Sequence, residues 1–541
     1  MHVRYRDSFS NSRAGSALGV IAMLILAGAV LTLRNLEPLT NYFTYTEDGV
    51  WLGYAMSKGW WYTIVNAKAD YFVWGNLLFV YLATLASDIF CGDKLVCYPQ
   101  ALSFWSYFFY SSVSVLCYYI TKDLLPEAIR WIVFLATLMI PLGDSSGEIF
   151  GKISNIGYYF VFITTLLVFV KNKKNTATPL IDTILLLCAA TNPVCLVLTF
   201  VLSTFTLFDR DYKNWIKKYG AVIFGCLVIG ALIFFRIAAS PSKGVIGSFR
   251  LESLIEVSLA RAFIYPLVFP FYNQLSDTVV VILSLALMTL LGVLLAKEKS
   301  RDVKTLISMC TIAYFIYAFF TVYMRKSLTE VLGGYAGTFP DRYFMGLNII
   351  VVFSLLVLAG SALRASRAVR IIGAATLASF TTLYIANIAW LIEGETTRMQ
   401  FSGTVNFQDQ LCSAALQPAD TEGNVSVSLY PAGWFATIPK DKVSAATDKI
   451  ECVAEDISFY VTDSNWTKGI AKKWAGFYLH NTPENLATFK IGSTVQFPDK
   501  TTRKIINITT SNETINVFVD GDILTARKVG FPFKFIVIEQ I

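Results

Sequence analysis

Two adjacent carboxylates, Glu47 and Asp48, lie near the start of the chain in the segment TYTEDGVWLGYAMSKGWW. The chain has only two histidines, His2 and His480, which nearly excludes a histidine metal cluster or a Ser-His-Asp triad and leaves acid–base chemistry to carboxylates, lysine or tyrosine. One carboxylate of the pair is therefore predicted to be a general base. Neighbouring residues on a helix point about 100° apart, so both are not expected to act on the same proton. The alternative is that Asp48 caps a helix beginning near Gly49.

A second polar group, formed by Asp144, Glu148 and Asn155, lies in the segment GDSSGEIFGKISNIGYY. A carboxylate among apolar membrane helices is costly and tends to be functional. The competing interpretation is an ordinary polar loop between two spans, and the sequence does not choose between the two.

A third group combines cationic and aromatic side chains in the segment RKSLTEVLGGYAGTFPDRYF. It contains Arg325, Lys326, Asp341, Arg342 and Tyr343. Cationic side chains on the outer face of a membrane are unexpected under the positive-inside rule, but a lipid phosphate would explain them, and arginine offers a two-pronged donor for it. The alternative is that Asp341 and Arg342 form an ion pair that anchors the start of a span.

The composition indicates that lipid surrounds most of this chain. Of its 541 residues, 55% are hydrophobic and 15% are charged, whereas soluble proteins have about 25% charged residues. The net charge of +7 comes from basic clusters between apolar runs, where the positive-inside rule needs them. The charge therefore does not predict a nucleic-acid partner.

Eleven apolar runs are predicted to span the membrane. They lie near 16–34, 99–121, 128–143, 154–171, 177–191, 194–209, 219–238, 275–296, 304–323, 343–362 and 371–392. Basic clusters occupy alternate junctions, which puts the N-terminus in the cytoplasm and the C-terminus outside. The division of 177–209 at Asn192-Pro193 is the weakest point, because one long helix there would invert every later span.

Two long segments are predicted to lie outside, on the same side as the C-terminus. Residues 35–98 are rich in tryptophan and tyrosine, which is typical of helices lying in the membrane interface. Residues 239–272 contain Arg250 and Arg261, two weaker candidates for phosphate binding.

Residues 393–541 are predicted to be a separate β-sandwich domain, because about ten short alternating runs are divided by turn residues. Cys412 and Cys452 are the only cysteines in this domain, and Cys91 and Cys97 share one outer loop. Each pair is a candidate disulfide if it lies outside the cytoplasm. Four Asn-x-Ser/Thr triplets in the domain are potential glycosylation sites in a eukaryote and ordinary polar strand sequence in a bacterium.

Together these features resemble the GT-C superfamily of polytopic glycosyltransferases, whose donors are sugars linked to polyprenyl phosphate. The resemblance rests on the Glu47-Asp48 pair in a long first outer loop, EIFGKISNIGYY at 148–159, FPDRYF at 339–344 and LYPAGWF at 429–435. These segments look like parts of bacterial and phage-encoded Gtr-type proteins, the serotype-converting glucosyltransferases of O-antigen. The similarity in architecture covers the whole chain, while the motifs are short.

The resemblance implies an inverting transfer of a hexose, with glucose expected, from undecaprenyl phosphate to O-antigen or another surface polysaccharide at the periplasmic face of the bacterial inner membrane. It implies that Asp48 or Glu47 deprotonates the acceptor hydroxyl, and the Glu-Asp order leaves open which one. It further implies two groups of supporting residues. The donor phosphate would be held by Arg342, Arg325, Lys326 and Tyr343. The sugar cavity would be lined by Glu148, Asn155, Lys58 and Asp144.

The implied partners are the lipid bilayer, the lipid-linked donor and the polysaccharide acceptor, with a functional link to a donor-synthesising glycosyltransferase and a flippase. Some GT-C enzymes use a divalent cation, but no ligand cluster in this sequence compels one, so the metal ligands stay unknown and no cofactor is assigned. The outer domain either binds polysaccharide through Trp434, Trp466 or Trp474, or buries these side chains in its core.

Three other functions compete with this interpretation. A transporter or flippase for lipid-linked oligosaccharide commonly has internal repeats and polar groups at mid-membrane, whereas here no repeat is evident and the polar groups cluster at one face. An O-antigen polymerase or ligase would also carry arginines in outer loops, but the acidic pair favours GT-C. A eukaryotic lumenal mannosyltransferase-type enzyme fits the Asn-x-Ser/Thr triplets.

Overall fold

The structure is a computed structural model and is mostly helical. It describes residues 13–40, 43–142, 149–173, 178–209, 212–239, 251–324, 341–393, 406–429, 434–450, 452, 459–462, 474–481, 483–496, 502–510, 514–520 and 536–539. The helices of the first 210 residues are α1 (Arg13–Arg34), α2 (Glu37–Thr40), α3 (Thr46–Ser57), α4 (Gly59–Asn66), α5 (Trp74–Cys91), α6 (Tyr98–Ile120), α7 (Glu127–Leu138), α8 (Phe160–Lys173), α9 (Pro179–Ala189) and α10 (Pro193–Ser203).

Further helices follow up to residue 393 and within the C-terminal region. They are α11 (Tyr212–Ala239), α12 (Leu251–Glu256), α13 (Tyr265–Val268), α14 (Asp277–Lys297), α15 (Arg301–Met324), α16 (Met345–Ala362), α17 (Arg367–Ala386), α18 (Ile388–Glu393), α19 (Phe407–Leu416), α20 (Lys440–Thr447) and α21 (Pro483–Thr488). A π-helical segment, Val257–Ile264, joins α12 to α13, and short 3₁₀ turns occupy Ile156–Tyr158, Thr204–Asp209, Tyr272–Gln274 and Asp341–Tyr343.

Eight helical stretches among the described residues are long and apolar enough to cross a membrane. They are Ala17–Arg34, Trp74–Cys91, Ile156–Lys173, Tyr212–Ala238, Asp277–Lys297, Arg301–Met324, Met345–Ala362 and Arg367–Ala386. The sequence predicted eleven runs. Helix α6 forms in one of them but carries five serines and five tyrosines, which lower its hydropathy. Helices α7, α9 and α10 have 12, 11 and 11 residues and are shorter than the roughly 20 residues that a bilayer needs.

The predicted outer loop 35–98 is largely helical, and its last helix, α5, is longer and more apolar than an interfacial segment requires. The amide of Trp74 at its start donates to the carbonyl of Ala190 at 3.4 Å, and the amide of Gly75 donates to the Thr191 hydroxyl at 2.7 Å. The start of α5 is thereby fixed to the turn between α9 and α10.

That turn divides the region 177–209 into two helices, as the sequence predicted. The Asn192 side chain accepts a hydrogen bond from the amide of Val194 at 3.1 Å and so caps the start of α10. Its amide nitrogen donates to the carbonyl of Gly157 at 3.1 Å. Pro193 occupies the first turn of α10, where its missing N–H costs nothing.

Helix α16 is the centre of the helical bundle and is buried along its whole length. Its sequence, MGLNIIVVFSLLVLAGSA, is apolar on every side, which is typical of a helix enclosed by other helices. It packs against α7, α8, α14, α15 and α17. These contacts fix the position of α16 and of the polar residues near its start.

The C-terminal region contains two antiparallel sheets. Strands β1 (Asn424–Leu429) and β2 (Trp434–Pro439) form a hairpin in which Val427 pairs with Ala436. The second sheet has the strand order β3-β4-β7-β6-β5-β8. Its strands are β3 (Phe459–Thr462), β4 (Trp474–His480), β5 (Thr494–Gln496), β6 (Thr502–Thr510), β7 (Thr514–Asp520) and β8 (Ile536–Glu539).

Two of the short runs predicted to be strands are not strands among the described residues. In the run KIECV at 449–453, Lys449 lies in a turn and Ile450 in a bend shortly after α20. The run ATFKIG at 487–492 begins within the end of α21 and continues into a turn at Gly492, where φ is +92°. Glycine adopts this left-handed conformation without the steric cost that a side chain would add. The apolar residues of this short run therefore belong to a helix end and the turn after it, and they do not form a strand.

Two disulfides lie near the contact between the helical and β-containing parts. Cys91 bonds Cys97 at the end of α5, and Cys412 of α19 bonds Cys452. The Lys449 ammonium donates to the carbonyl of Gly92 inside the first disulfide loop. The five remaining cysteines are buried as free thiols.

Candidate functional site

Helix α3 carries both carboxylates of the acidic pair in its first turn. The residue that precedes the helix is Tyr45, in an extended conformation, so the prediction that Asp48 caps a helix beginning near Gly49 is wrong. Negative charge in the first turn is favourable because the helix dipole is positive there. The local sequence thus forms a helix that begins three residues earlier than predicted and includes both acids.

Glu47 is held as an anion at the edge of the site. Its carboxylate forms a 2.8 Å ion pair with Lys68 and accepts a second hydrogen bond from the Thr46 hydroxyl. Burial on its own would raise the pKa of Glu47, but the charge and hydrogen bond of Lys68, together with Thr46, outweigh burial and lower that pKa to about 2. A carboxylate with this pKa is a weak proton acceptor near neutral pH.

Asp48 has a different environment, although it is the next residue. It is fully buried, and one oxygen, Oδ2, accepts a hydrogen bond from the amide of Ile153 at 3.1 Å. The other oxygen, Oδ1, has no hydrogen-bond partner in the described part of the chain. Burial raises the pKa of Asp48 well above its usual range, and the Ile153 hydrogen bond opposes that effect only in part. The carboxyl group therefore has a buried oxygen without a hydrogen-bond partner among the described residues, and a raised affinity for a proton.

The backbone on each side of Asp48 is fixed by neighbouring helices. The Tyr98 hydroxyl at the start of α6 donates to the Asp48 carbonyl at 3.0 Å. On the facing loop, Asn76 of α5 donates to the carbonyls of Ile153, at 2.5 Å, and Ser154, at 3.1 Å. These bonds hold the Ile153 amide where the carboxylate accepts from it.

Gly151 lets the same loop approach α2 and α6 closely. Its φ is +70°, and an added Cβ would lie 2.2 Å from Pro38 and 2.8 Å from the Ser103 hydroxyl. The following residue, Lys152, is 1% exposed, and its ammonium lies 3.4 Å from the centre of the Phe43 ring. Lys152 is not among the residues predicted for the site. In the sequence, Lys152 is distinguished only as a cation within a segment that is otherwise predicted to enter the helical bundle.

Arg342 lies next to the start of α3, although it is almost 300 residues away in sequence. Its guanidinium donates to the Tyr45 hydroxyl at 3.2 Å and lies 5.1 Å from the centre of the Tyr343 ring. The Tyr343 ring in turn packs edge-on against Tyr158 at 5.3 Å. The structure thereby brings together the acidic pair, the loop after residue 149 and the cationic turn before α16.

The other predicted residues divide into two classes. Asn155 is buried, three residues after Lys152 in the facing loop. Lys58 follows the end of α3, about 15 Å along the helix from Asp48, and its ammonium faces the Tyr62 ring at 5.0 Å. It is therefore not beside the carboxylate. Asp144, Glu148, Arg325 and Lys326 lie outside the described residues, and of Asp341 the structure describes the backbone alone.

The β1–β2 hairpin packs against one face of α3. An added Cβ at Gly49 would lie 2.3 Å from the Leu429 side chain, and one at Gly53 would lie 2.9 Å from the backbone nitrogen of Thr437. Lys442 of α20 donates to the Met56 carbonyl at 2.6 Å and so satisfies the end of the helix. The helix that carries the acidic pair is therefore enclosed by the C-terminal region. Trp434 of the hairpin is 41% exposed and does not fill a core.

Chemically, this arrangement can accept a proton at Asp48 and bind an anion at Arg342. In the described part of the chain, no group of three or more histidine, cysteine, aspartate or glutamate side chains could hold a metal ion. Comparison of the sequence with family models and with curated proteins gives no match.

Proposed function

We propose that this protein is a membrane glycosyltransferase of GT-C type, which moves a hexose from undecaprenyl phosphate to a surface polysaccharide. The observation that carries the proposal is that a candidate proton acceptor and a candidate phosphate-binding cation both lie at the start of α3. Asp48 offers a buried carboxylate oxygen without a hydrogen-bond partner among the described residues, and Tyr45, three residues earlier, contacts Arg342. Sugar transfer from a lipid phosphate needs a base for the acceptor and a cation for the departing phosphate.

The environments of the two acids favour Asp48 over Glu47 as the base. Glu47 already accepts from Lys68 and Thr46, and its pKa of about 2 leaves it ionised but weakly basic. Asp48 has an oxygen free to accept, and its raised pKa is closer to the pH at which a general base works best.

The proposed reaction is a single displacement with inversion. Oδ1 of Asp48 takes the proton of an acceptor hydroxyl while the oxygen of that hydroxyl attacks the anomeric carbon of the sugar. The bond from the anomeric carbon to the phosphate oxygen breaks, and its electron pair stays on undecaprenyl phosphate. Arg342, with the ring of Tyr343 beside it, stabilises the charge that develops there. Arg325 and Lys326 are proposed to assist at the phosphate, and Glu148, Asp144 and Asn155 at the sugar.

The finer architecture belongs to the same proposal. Eleven spans with a cytoplasmic N-terminus would put the acidic pair, both disulfides and a C-terminal β-sandwich on the periplasmic side of a bacterial inner membrane. The two disulfides support an oxidising compartment. Leu416→Cys is a test, because Leu416 is 82% exposed and the five free cysteines are buried. A membrane-impermeant maleimide should label this variant in intact cells, and labelling only after lysis would contradict the orientation.

The test of the activity uses the purified full chain in liposomes, with undecaprenyl-phosphate-glucose as donor and O-antigen polysaccharide as acceptor. Wild type should consume the donor only when acceptor is present. Asp48→Asn should lower the rate by about 100- to 10,000-fold, as loss of a general base does, with normal yield in the membrane. Full activity of this variant would remove Asp48 from the mechanism. Movement of labelled donor across the bilayer without transfer would favour a flippase instead.

A further inference from the structure

Lys152 is a buried cation that the proposed reaction does not use. Its side chain is 1% exposed, its ammonium lies 3.4 Å from the centre of the Phe43 ring, and it forms no direct ion pair with a described carboxylate. The face of an aromatic ring stabilises a cation, but it does not neutralise the charge. An ammonium this deeply buried needs a compensating charge nearby.

The charge that compensates Lys152 is the carboxylate of Asp48. The amide that holds Oδ2 belongs to Ile153, which is the residue directly after Lys152, so the loop brings the ammonium and the carboxylate into the same buried space. Glu37 is the other acid whose field reaches Lys152, and it acts more weakly. The groups that face Asp48 include Glu47 on its own helix, Lys152, Ile153 and the backbone of Ser154 on the loop, and the hydroxyl-bearing Tyr98 and Tyr110 on α6.

Glu47 does not replace Asp48 as the partner of Lys152, because it is already paired with Lys68 at 2.8 Å. Each of the two acids thus has its own lysine. Lys68 forms a direct ion pair with Glu47 at the edge of the site, whereas Lys152 is a buried charge that acts on Asp48 without a direct ion pair. Lys152 and Asp48 form no direct ion pair among the described residues, and Oδ1 has no hydrogen-bond partner there, whereas a direct ion pair would compete for this oxygen.

We propose that Lys152 is a positioning residue for Asp48, whose buried ammonium keeps that carboxylate ionised while leaving its open oxygen free to accept a proton. This inference rests on the proposed function for its consequence in catalysis, but the pairing of the two charges stands apart from it. In line with the pairing, burial raises the pKa of Asp48 and lowers that of Lys152, and the charge of each residue opposes the shift of the other.

The pairing is tested by a double-mutant cycle on the full-length protein in detergent. Lys152→Met and Asp48→Asn should each lower the unfolding temperature, because each leaves one buried charge uncompensated. The double variant carries neither charge and should be more stable than the sum of the two single losses predicts. Lys217→Met, at an exposed position of α11, is the matched control and should show no coupling with Asp48→Asn.

The effect on catalysis is tested by the pH dependence of kcat/KM. Without the ammonium the carboxylate protonates more readily, so the acidic limb should move to higher pH by at least one unit in Lys152→Met. Lys152→Arg keeps the charge and should keep the limb near its wild-type position. A residue with only a packing role would lower the rate without moving the limb.

The outcomes separate this inference from the proposed function. Additive losses in the stability cycle, or an unmoved acidic limb, would overturn the role of Lys152 even if Asp48→Asn abolished transfer. If Lys152→Met does not accumulate but the double variant does, the pairing is supported. If neither of these two variants accumulates while Asp48→Asn does, the pairing is overturned. Coupling in the cycle together with full transfer by Asp48→Asn would keep the pairing and reject the proposed base.

Discussion

Arg342 donates a hydrogen bond of 3.2 Å to the hydroxyl of Tyr45, the residue from which the helix of the acidic pair begins. This contact joins the turn before α16 to the start of α3. Arg342 also donates to the Tyr343 hydroxyl at 3.3 Å and lies 5.1 Å from the centre of that ring, so two tyrosines help to orient its guanidinium. The planar donor set of a guanidinium suits an anionic ligand such as a phosphate.

Arg342 should therefore be needed for binding the lipid phosphate, and lysine should replace it poorly. Arg342→Lys keeps the charge but loses the planar donor set, and Arg342→Gln loses the charge as well. We expect the loss of kcat/KM to be about tenfold for lysine and at least about 100-fold for glutamine, since a charge-assisted hydrogen bond is worth about 1.5–3 kcal/mol. Steady-state transfer at varied donor concentration measures this. Tyr45→Phe is the control for orientation alone and should cost less than Arg342→Gln, and the reverse order would argue against phosphate binding by Arg342.

The ion pair between Glu47 and Lys68 should stabilise the fold in a pH-dependent way. The folded pKa of Glu47, about 2, lies below its ordinary value of 4.5, so its contribution is fully present above pH 4.5 and is lost as the pH falls towards 2. Because Glu47 is 28% exposed, solvent reduces that contribution to about 1–2 kcal/mol.

Glu47→Gln should accordingly unfold at a lower temperature than wild type at pH 7, and the two should converge as the pH falls from 5 to 2. Scanning fluorimetry in detergent across this range measures the difference. Glu422→Gln changes an exposed acid and should give no such convergence. A constant difference between wild type and Glu47→Gln at every pH would mean that the ion pair does not supply the stability.

Much of the membrane part follows from the sequence, because span length and apolar composition are local properties. The apolar run at 343–362 predicted α16, and Asn192-Pro193 predicted the break between α9 and α10. The acidic pair was also evident, since Glu47 and Asp48 are adjacent carboxylates in an apolar, aromatic setting. Helix α5 was missed because it follows a stretch rich in tryptophan and tyrosine, a composition that is typical of helices in the membrane interface.

The relations inside the site could not be predicted, because they depend on contacts between distant segments. Nothing local distinguishes Glu47 from Asp48, and the difference arises because Lys68 reaches one and Ile153 the other. Lys152 was passed over for the same reason, since its burial depends on the approach of Phe43. Nor does a glycine such as Gly53 indicate in sequence that a strand more than 380 residues later will pack against it.

Gly53 should be required for the close approach of the β1–β2 hairpin to α3. In Gly53→Ala the new Cβ would lie 2.9 Å from the backbone nitrogen of Thr437 and 3.1 Å from its oxygen, and backbone cannot move aside as a side chain can. We expect a loss of about 1–3 kcal/mol in the free energy of unfolding, as overpacking typically costs, together with slower transfer because α3 carries Asp48. Gly28→Ala is the control, because nothing lies within 4 Å of its added Cβ and alanine favours a helix. Equal effects of the two variants would contradict the close contact.

Arg34 should be a structural arginine whose loss unfolds the C-terminal end of α1. The side chain is 7% exposed, and its three nitrogens donate to the carbonyls of Leu391 at 3.0 Å, Leu138 at 2.5 Å and Ile140 at 3.0 Å. One guanidinium thereby joins α1 to the end of α7 and to α18. Its planar set of donors reaches three carbonyls in two separate segments from three different nitrogens, whereas the ammonium of a lysine would have to reach all three from one nitrogen.

Arg34→Lys should therefore lower the free energy of unfolding by about 2–5 kcal/mol, because buried carbonyls left without a donor cost about 1–3 kcal/mol each. Thermal unfolding in detergent measures the loss, and Arg34→Met should be at least as unstable. Arg367→Lys, at an exposed position of α17, makes the same chemical change without these bonds and should leave the unfolding temperature within about 1 °C of wild type, as surface substitutions usually do. Transfer activity measured below the unfolding temperature separates the roles further. Arg34→Lys should retain the wild-type KM for the donor, since Arg34 is occupied by carbonyls, whereas a raised KM would assign it to the donor site.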